Sequence, residues 1–184
     1  MKINKVMITR LATMLFAAAF ITGTAMIASG GEKQDDPAFP AQCTSIETPP
    51  GHAVSFHAYA LGVQVYRWSG TRWDFVEPVA NLFVDLNYTR KVGSHFAGPT
   101  WMSNGGGSSV AAATVERCTP DTAAIAWLLL KATSSEGSGF LGETTYIQRV
   151  RTSGGLAPVT AGTTPGAEAR VPYSAEYVFY RSAN

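Results

Sequence analysis

The stretch VQVYRWSGTRWDFV, residues 63–76, joins two runs of β-favouring residues through the polar segment Ser69–Arg72. Side chains of different character alternate along the first run, as they do in a strand whose successive residues point to opposite faces. Serine, glycine and threonine between such runs are typical of a turn. The stretch therefore predicts a β-hairpin.

The same pattern continues along the chain, which contains about ten short β-favouring runs broken by glycine and proline. The segment Ala60–Gly62, which separates the hairpin from the preceding run AVSFHAYA, is interpreted as a turn. Short strands at this spacing are typical of two all-β architectures. We therefore predict a two-sheet sandwich or a flattened barrel of mainly antiparallel strands, with at most one or two short helical turns.

Residues 121–132 fit either a helix or a strand. Thr119, Pro120 and Asp121 resemble a helix start, and Ile125 and Leu128 have helical spacing. A fully buried strand also tolerates a continuous apolar run such as WLLLKAT. We predict one turn near Asp121 followed by a strand.

The first thirty residues have the parts of a secretory signal peptide, namely a basic head, an apolar middle and a small-residue exit at Ala28–Gly30. Cleavage is predicted near Gly31. An uncleaved membrane anchor is the alternative, because the 18 residues Leu11–Ala28 approach the roughly 20 that span a bilayer. Residues 31–50 are interpreted as an extended leader and residues 51–184 as a single all-β domain.

Without its first thirty residues the chain has 11 Lys+Arg and 13 Asp+Glu, a net charge of −2. Nucleic acids and anionic membrane surfaces require a basic face, so neither is predicted as a partner. No span is predicted after the signal. The two cysteines, Cys43 and Cys118, can pair in only one way in an oxidising compartment; two free thiols are the alternative.

The three histidines do not form a pattern typical of metal ligands. His52 and His57 are five residues apart in a predicted strand, which places them on opposite faces, and there is no H-x-H pair. For His95 we predict a structural role, with one ring nitrogen donating to a loop carbonyl and Phe96 and Trp101 packed around the ring. The sequence contains no nucleophile elbow, phosphate loop or dinucleotide fingerprint. No catalytic residue, metal or cofactor is therefore predicted.

Aromatic residues interleaved with amide and guanidinium groups are the strongest functional signal. Such a surface suits a sugar or a small organic ligand. In TYIQRV both faces are mixed, with Gln148 on one and Arg149 on the other, which indicates either a covered polar network or a lined pocket. The candidate ligand-binding residues are His57, Gln64, Tyr66, His95, Trp101, Gln148 and Arg149.

The leading hypothesis is a secreted or periplasmic module that binds a small organic or carbohydrate ligand or an envelope component. The alternative is a metal-assisted or novel hydrolytic or redox enzyme that uses His57 and His95. A purely structural, partner-binding protein is the third class. The triplet Asn87–Thr89 is a glycosylation sequon if the host glycosylates.

Five ordered blocks, HAYALGVQVYRW, HFAGPTW, WLLLKA, TYIQRV with TSGG, and GAEARVPYSAEYVFY, resemble a family of secreted bacterial and fungal proteins. It is a domain family of unknown function, numbered 3455, and the resemblance covers about residues 49–180. No activity or catalytic residue is established for the family, so the resemblance implies none here.

The chain departs from that family in three places. Family members commonly have a cysteine at the position of Trp68 and another within the segment 159–169, and both are missing here. Their joint loss is what the loss of one disulfide would look like. The family also usually has a proline at the position of Ala126, which would disfavour a helix and supports the strand interpretation of 121–132.

Overall fold

Extended backbone dominates residues 36–183, which are the residues that this computed structural model describes. Each strand pairs antiparallel with its sequence neighbours, and the first strand also pairs with the last, so the sheet closes into a barrel. The predicted all-β class is confirmed, and its form is the barrel. The eight strands are β1 His52–Trp68, β2 Trp73–Phe83, β3 Lys91–Phe96, β4 Thr100–Ser103, β5 Ser108–Cys118, β6 Trp127–Gly137, β7 Tyr146–Gly154 and β8 Glu168–Ser182.

The barrel has eight strands instead of about ten because β1 and β2 each join two predicted runs. In β1 these are AVSFHAYA and VQVYRW, and in β2 they are WDFV and ANLFVDL. The hairpin forms as predicted, with Trp68 opposite Trp73. The predicted turn at Ala60–Gly62 was wrong, since β1 passes straight through it. A Cβ atom on Gly62 would lie 2.2 Å from the carbonyl oxygen of Val79, so this glycine serves the close approach of β1 and β2 within a strand.

Residues 121–132 follow the predicted order of a turn and then a strand. The Asp121 carboxylate accepts a hydrogen bond from the Ala123 amide at 2.8 Å, and β6 begins at Trp127. The run from Trp127 forms a strand and not a helix because it pairs with β5 on one side and β7 on the other. This pairing satisfies the backbone hydrogen-bonding groups of an apolar run that is shielded from water.

Alternate residues of every strand fill the barrel interior, and all connections are between antiparallel neighbours. The β1–β2, β3–β4, β5–β6 and β7–β8 loops therefore lie at one end, which we call the mouth. At the other end Phe140, from the β6–β7 loop, packs on Phe56 and Phe179 with ring centroids 4.2 and 6.2 Å apart. These rings close the interior at that end.

The described part of the leader, residues 36–50, lies on the outer wall, where its apolar side chains pack on β6, β7 and β8 and residues 41–46 contact β5 and β6. It is not extended throughout, since Ala41–Ile46 forms a 3-10 helix. Cys43 is bonded to Cys118 as predicted, and Cys43 and Ile46 are fully buried against Leu129 and Val178. The disulfide and this second apolar cluster therefore attach the leader to the barrel.

Trp68 lies against the segment 159–169 near the mouth, at Gly162. A Cβ atom on Gly162 would lie 2.7 Å from the Cβ of Trp68. The indole of Trp68 thus covers a glycine in the β7–β8 loop, where the resemblance implied a lost disulfide.

The predicted signal peptide lies outside the described residues. Within residues 36–183, no helix has the length and apolar character needed to cross a bilayer.

Candidate functional site

A cavity of about 380 Å³ opens at the mouth of the barrel. Its volume falls within the usual range for small-molecule sites, about 300–1,000 Å³. Five of the seven candidate residues line it, and they come from four different strands: Gln64, Tyr66, His95, Trp101 and Arg149. Sheet closure brings together residues that are far apart in the sequence.

Strand register places these side chains on the inner face. His95 on β3 is directly opposite Trp101 on β4, and Arg149 on β7 is opposite Tyr177 on β8. Opposed residues in an antiparallel pair point to the same side of the sheet. The paired strands β3 and β4 therefore supply two stacked aromatic rings, and the paired strands β7 and β8 supply a guanidinium beside a phenol.

His95 is an uncharged part of the wall. Its Nδ1 lies 2.9 Å from the Thr100 carbonyl oxygen, which can only accept, so Nδ1 carries the proton. The ring stacks on Trp101 with centroids 4.2 Å apart. Burial lowers the pKa of His95 to about 3, which the Thr100 hydrogen bond opposes and the charge of Arg149 reinforces. The predicted hydrogen bond to a carbonyl and the packing of Trp101 are confirmed by this geometry, whereas Phe96 is not among the aromatic rings found against His95. Nε2 is left as an acceptor.

Tyr66 ties a mouth loop to the wall. Its hydroxyl donates to the carbonyl oxygen of Gly155 at 2.7 Å, and burial raises the pKa of this phenol. Thr152 braces the same end by donating to the Ile125 carbonyl at 2.6 Å. These bonds hold the β5–β6 and β7–β8 loops around the opening.

Arg149 is a half-buried charge without an acidic partner. Its Nε and Nη2 donate to one neutral acceptor, the Ala126 carbonyl oxygen, at 3.1 and 2.7 Å. No carboxylate among residues 36–183 lies within 4.0 Å of the guanidinium, since the ion pairs there involve other residues. The two bonds orient the group while leaving its charge uncompensated.

Four buried polar atoms of the interior have no hydrogen-bond partner among the described residues: Gln64 Nε2, Trp101 Nε1, Tyr173 Oη and Tyr177 Oη. The Gln64, Tyr173 and Tyr177 side chains are neighbours, yet these atoms do not meet with hydrogen-bonding geometry. Burial raises the pKa of both tyrosines, so they remain protonated donors. Unpaired donors of this kind cost about 1–3 kcal/mol each unless a ligand or water completes them.

Gln148 lies on the outer wall, away from the cavity. It is fully buried under the leader, where its Nε2 donates to the Ile46 carbonyl at 2.7 Å and its Oε1 accepts from the Tyr180 hydroxyl at 2.7 Å. The two mixed faces of TYIQRV are thus a covered polar network on the Gln148 side and a lined cavity on the Arg149 side.

His57 also lies outside the cavity. Its Nδ1 is 2.6 Å from the carboxylate of Glu176, which Arg151 also contacts. Burial would raise the pKa of Glu176, but the hydrogen bonds from His57 and Arg151 and the Arg151 charge together lower it. His57 and His95 therefore lie on opposite faces of the wall, and the structure does not bring them into one site.

His52 is separate from both other histidines, and its Nδ1 donates to the Pro49 carbonyl oxygen at 3.0 Å. No group of three metal-ligating side chains occurs among residues 36–183. Asn87 is exposed in the β2–β3 loop, at the closed end of the barrel.

Several cavity residues were missed by the sequence analysis. Tyr177, Leu128 and Leu130 line the cavity but were not among the candidate residues. The available signal was strand alternation, which places Tyr177 on the opposite face from Glu176 and Val178. Thr114 and Arg117 gave no signal because β5 carries a register shift between Thr114 and Glu116 that simple alternation does not reveal.

The fold and the cavity together define a class of protein, a closed eight-stranded antiparallel barrel with one aromatic-lined cavity at its mouth. The chain belongs to the family described as protein of unknown function (DUF3455), whose model matches residues 49–181. The resemblance of the five sequence blocks is thereby confirmed. No curated protein and no solved structure matches the chain.

Proposed function

We propose that this protein binds a small organic molecule in the cavity at the mouth of its barrel. The observation that carries the proposal is the set of unpartnered buried polar atoms beside an aromatic wall: Gln64 Nε2, Trp101 Nε1 and Tyr177 Oη belong to residues that line the cavity. A bound molecule with acceptor atoms would satisfy donors that the protein leaves unpaired.

The barrel architecture supports a binding role. An interior enclosed by eight strands is wide enough to be filled by side chains or to hold one small ligand. Here the Phe56, Phe140 and Phe179 rings fill the closed end, and the cavity occupies the mouth. The hydrogen bond from Tyr66 to Gly155 ties the β7–β8 loop to the barrel wall beside the opening.

Native mass spectrometry and isothermal titration of residues 31–184 against small aromatics, aliphatic acids and monosaccharides test the proposal. We expect one class to bind at one molecule per chain. Binding should change the fluorescence of Trp101, one of four tryptophans, which Trp101→Phe would remove.

A matched pair of variants locates the binding. Ala126→Trp adds a large ring at a residue that lines the cavity and should abolish binding. Leu86→Trp makes a similar addition to a side chain that is 68% exposed in the β2–β3 loop, and it should bind normally. Binding that survives Ala126→Trp, or no binding to any compound class, would refute the proposal.

The same proposal includes export from the cytoplasm. It is supported by the signal-like composition of residues 1–30 and by the Cys43–Cys118 disulfide, since such bonds persist in oxidising compartments.

A further inference from the structure

We infer that the ligand is a compact aromatic carboxylate whose carboxylate group pairs with Arg149 while its ring lies against the His95–Trp101 wall. This inference rests on the proposed function and specifies the charge and shape of the bound molecule. It is carried by the placement of charged, donor and aromatic groups around the cavity.

The charges around the cavity have one sign. Two guanidiniums, Arg149 and Arg117, are among the lining residues, and no aspartate or glutamate is. His95 is neutral, because its Nδ1 proton is committed to the Thr100 carbonyl in a buried position. An anion entering the mouth therefore meets attraction and no acidic group, whereas a cation meets repulsion.

Arg149 is prepared to receive a carboxylate. A half-buried charge is costly without a counter-charge, and Arg149 has only the Ala126 carbonyl as a hydrogen-bonding partner of sound geometry. That carbonyl holds the planar group through Nε and Nη2, and the other N–H groups are not paired with any described carboxylate. A guanidinium fixed in this way presents parallel donors that match the two oxygens of a carboxylate.

Donors without partners surround the same region. Tyr177 is opposite Arg149 across the β7–β8 ladder, and its hydroxyl is unpaired. Trp101 and Gln64 contribute an unpaired indole N–H and amide N–H from other strands. Three neutral donors beside one cation favour a ligand group that only accepts hydrogen bonds, as an ionised carboxylate does.

Aromatic faces and apolar side chains form the rest of the wall. His95 and Trp101 are parallel within 7°, and the Tyr177 ring meets both edge-on at 5.1 and 5.3 Å. Leu128 and Leu130 also line the cavity. A flat ring gains offset-stacked or edge contacts in such surroundings.

Titration with benzoate and 4-hydroxybenzoate, against the neutral compounds benzamide and methyl benzoate, tests the inference. A charge-assisted hydrogen bond is stronger than a neutral one, so we expect benzoate to bind at least about tenfold more tightly than benzamide to the unaltered protein, which corresponds to about 1.4 kcal/mol. The preference should shrink as ionic strength rises, because salt screens the guanidinium at the open mouth.

Arg149→Gln tests the named residue. An amide can still donate to the Ala126 carbonyl but carries no charge, so the preference for benzoate over benzamide should disappear. Arg170→Gln removes a charge from an exposed β8 residue outside the cavity and should leave the preference unchanged. Melting temperatures of both variants show whether folding is intact, and the salt dependence of the unaltered protein answers the question without a variant.

The outcomes separate the two proposals. Neutral aromatics that bind as tightly as benzoate, and are lost in Ala126→Trp, would overturn the carboxylate inference and leave the cavity as a binding site. Benzoate preference that Arg149→Gln does not change would overturn the assignment of Arg149. Absence of binding by every compound class would sink both proposals.

Discussion

His95 is of a residue type that is common in catalytic sites, yet here it has a structural role in the wall of the cavity. Its hydrogen bond to Thr100 and its stacking on Trp101 keep a neutral imidazole inside the barrel. A neutral acceptor beside Arg149 also leaves the positive charge of the cavity to the guanidinium groups. The consequence for stability can be measured.

We predict that the free energy of unfolding falls as pH falls from about 6.5 toward 3. The folded pKa of His95 is depressed from 6.5 to about 3, so in this window only the unfolded chain takes up the proton, and acid favours unfolding. The loss between about pH 7 and pH 5 should be roughly 2 kcal/mol from this residue. Urea unfolding at the two pH values measures it.

His95→Asn provides the control for that prediction. Asparagine can donate to the Thr100 carbonyl but does not titrate, so the stability difference between the two pH values should become smaller. An unchanged difference would mean that other groups produce the pH dependence. Below about pH 4.5 the depressed pKa of Glu176 adds a loss of its own, which is why the comparison stays above that value.

The candidate site was partly predictable from single residues. Alternation in VQVYRW and TYIQRV assigned Gln64 and Arg149 to faces of mixed character, and the structure places both at the cavity. Alternation could not say which face of each strand is inside. Gln148 and His57 therefore entered the candidate set although they lie on the outer wall.

At the scale of elements, the leader and its disulfide cover an apolar outer wall that the barrel alone would expose. We predict that the double variant Cys43→Ser/Cys118→Ser is destabilised by roughly 4 kcal/mol, because the bridge spans 75 residues and restricts the unfolded chain. Urea unfolding of the variant measures the loss, and reduced unaltered protein should unfold at a similar urea concentration.

That variant should keep its cavity. The leader packs on Leu129 and Val178, outside the barrel, whereas the cavity residues point inward. Ligand binding below the unfolding transition should therefore be close to that of the unaltered protein. Binding lost in a folded variant would show that the leader and the mouth are coupled.

A second disulfide can be introduced near the mouth. We predict that Trp68→Cys/Gly162→Cys forms a bridge, because the two Cβ positions lie 2.7 Å apart and a shift of about 1 Å would reach the usual spacing of about 3.5–4.5 Å. Mass spectrometry of the intact protein with and without reductant detects it. Trp68→Cys alone is the control, and two free thiols in the double variant would contradict the prediction.

Element boundaries were predictable where local signals agreed with pairing. The polar loop Ser69–Arg72 separates β1 from β2 as predicted. Gly62 misled the interpretation, because glycine usually interrupts strands. Here β1 runs through it, since pairing across the closed sheet outweighs the local preference.

At the scale of the whole molecule, export remains a prediction for residues 1–30. We expect the chain to accumulate outside the cytoplasm with a new N-terminus near Gly31. Intact-mass measurement of the protein from the extracellular or periplasmic fraction determines that N-terminus. Full-length protein retained in the membrane fraction would instead indicate the uncleaved anchor.

By itself the sequence determined the all-β class, the order of strands along the chain and the single possible pairing of its two cysteines, and the five ordered blocks identified the family. Each of these follows from local composition, alternation or count, which depend on near neighbours in the sequence.

Only the tertiary structure decided that the sheet closes, with β1 pairing β8 over its length. Closure chooses which face of every strand is interior, and thereby brings Gln64, His95, Trp101 and Arg149 to one cavity. It equally sends Gln148 beneath the leader. The physical reason is that register and closure depend on contacts between residues distant in the sequence, which alternation within one strand does not contain.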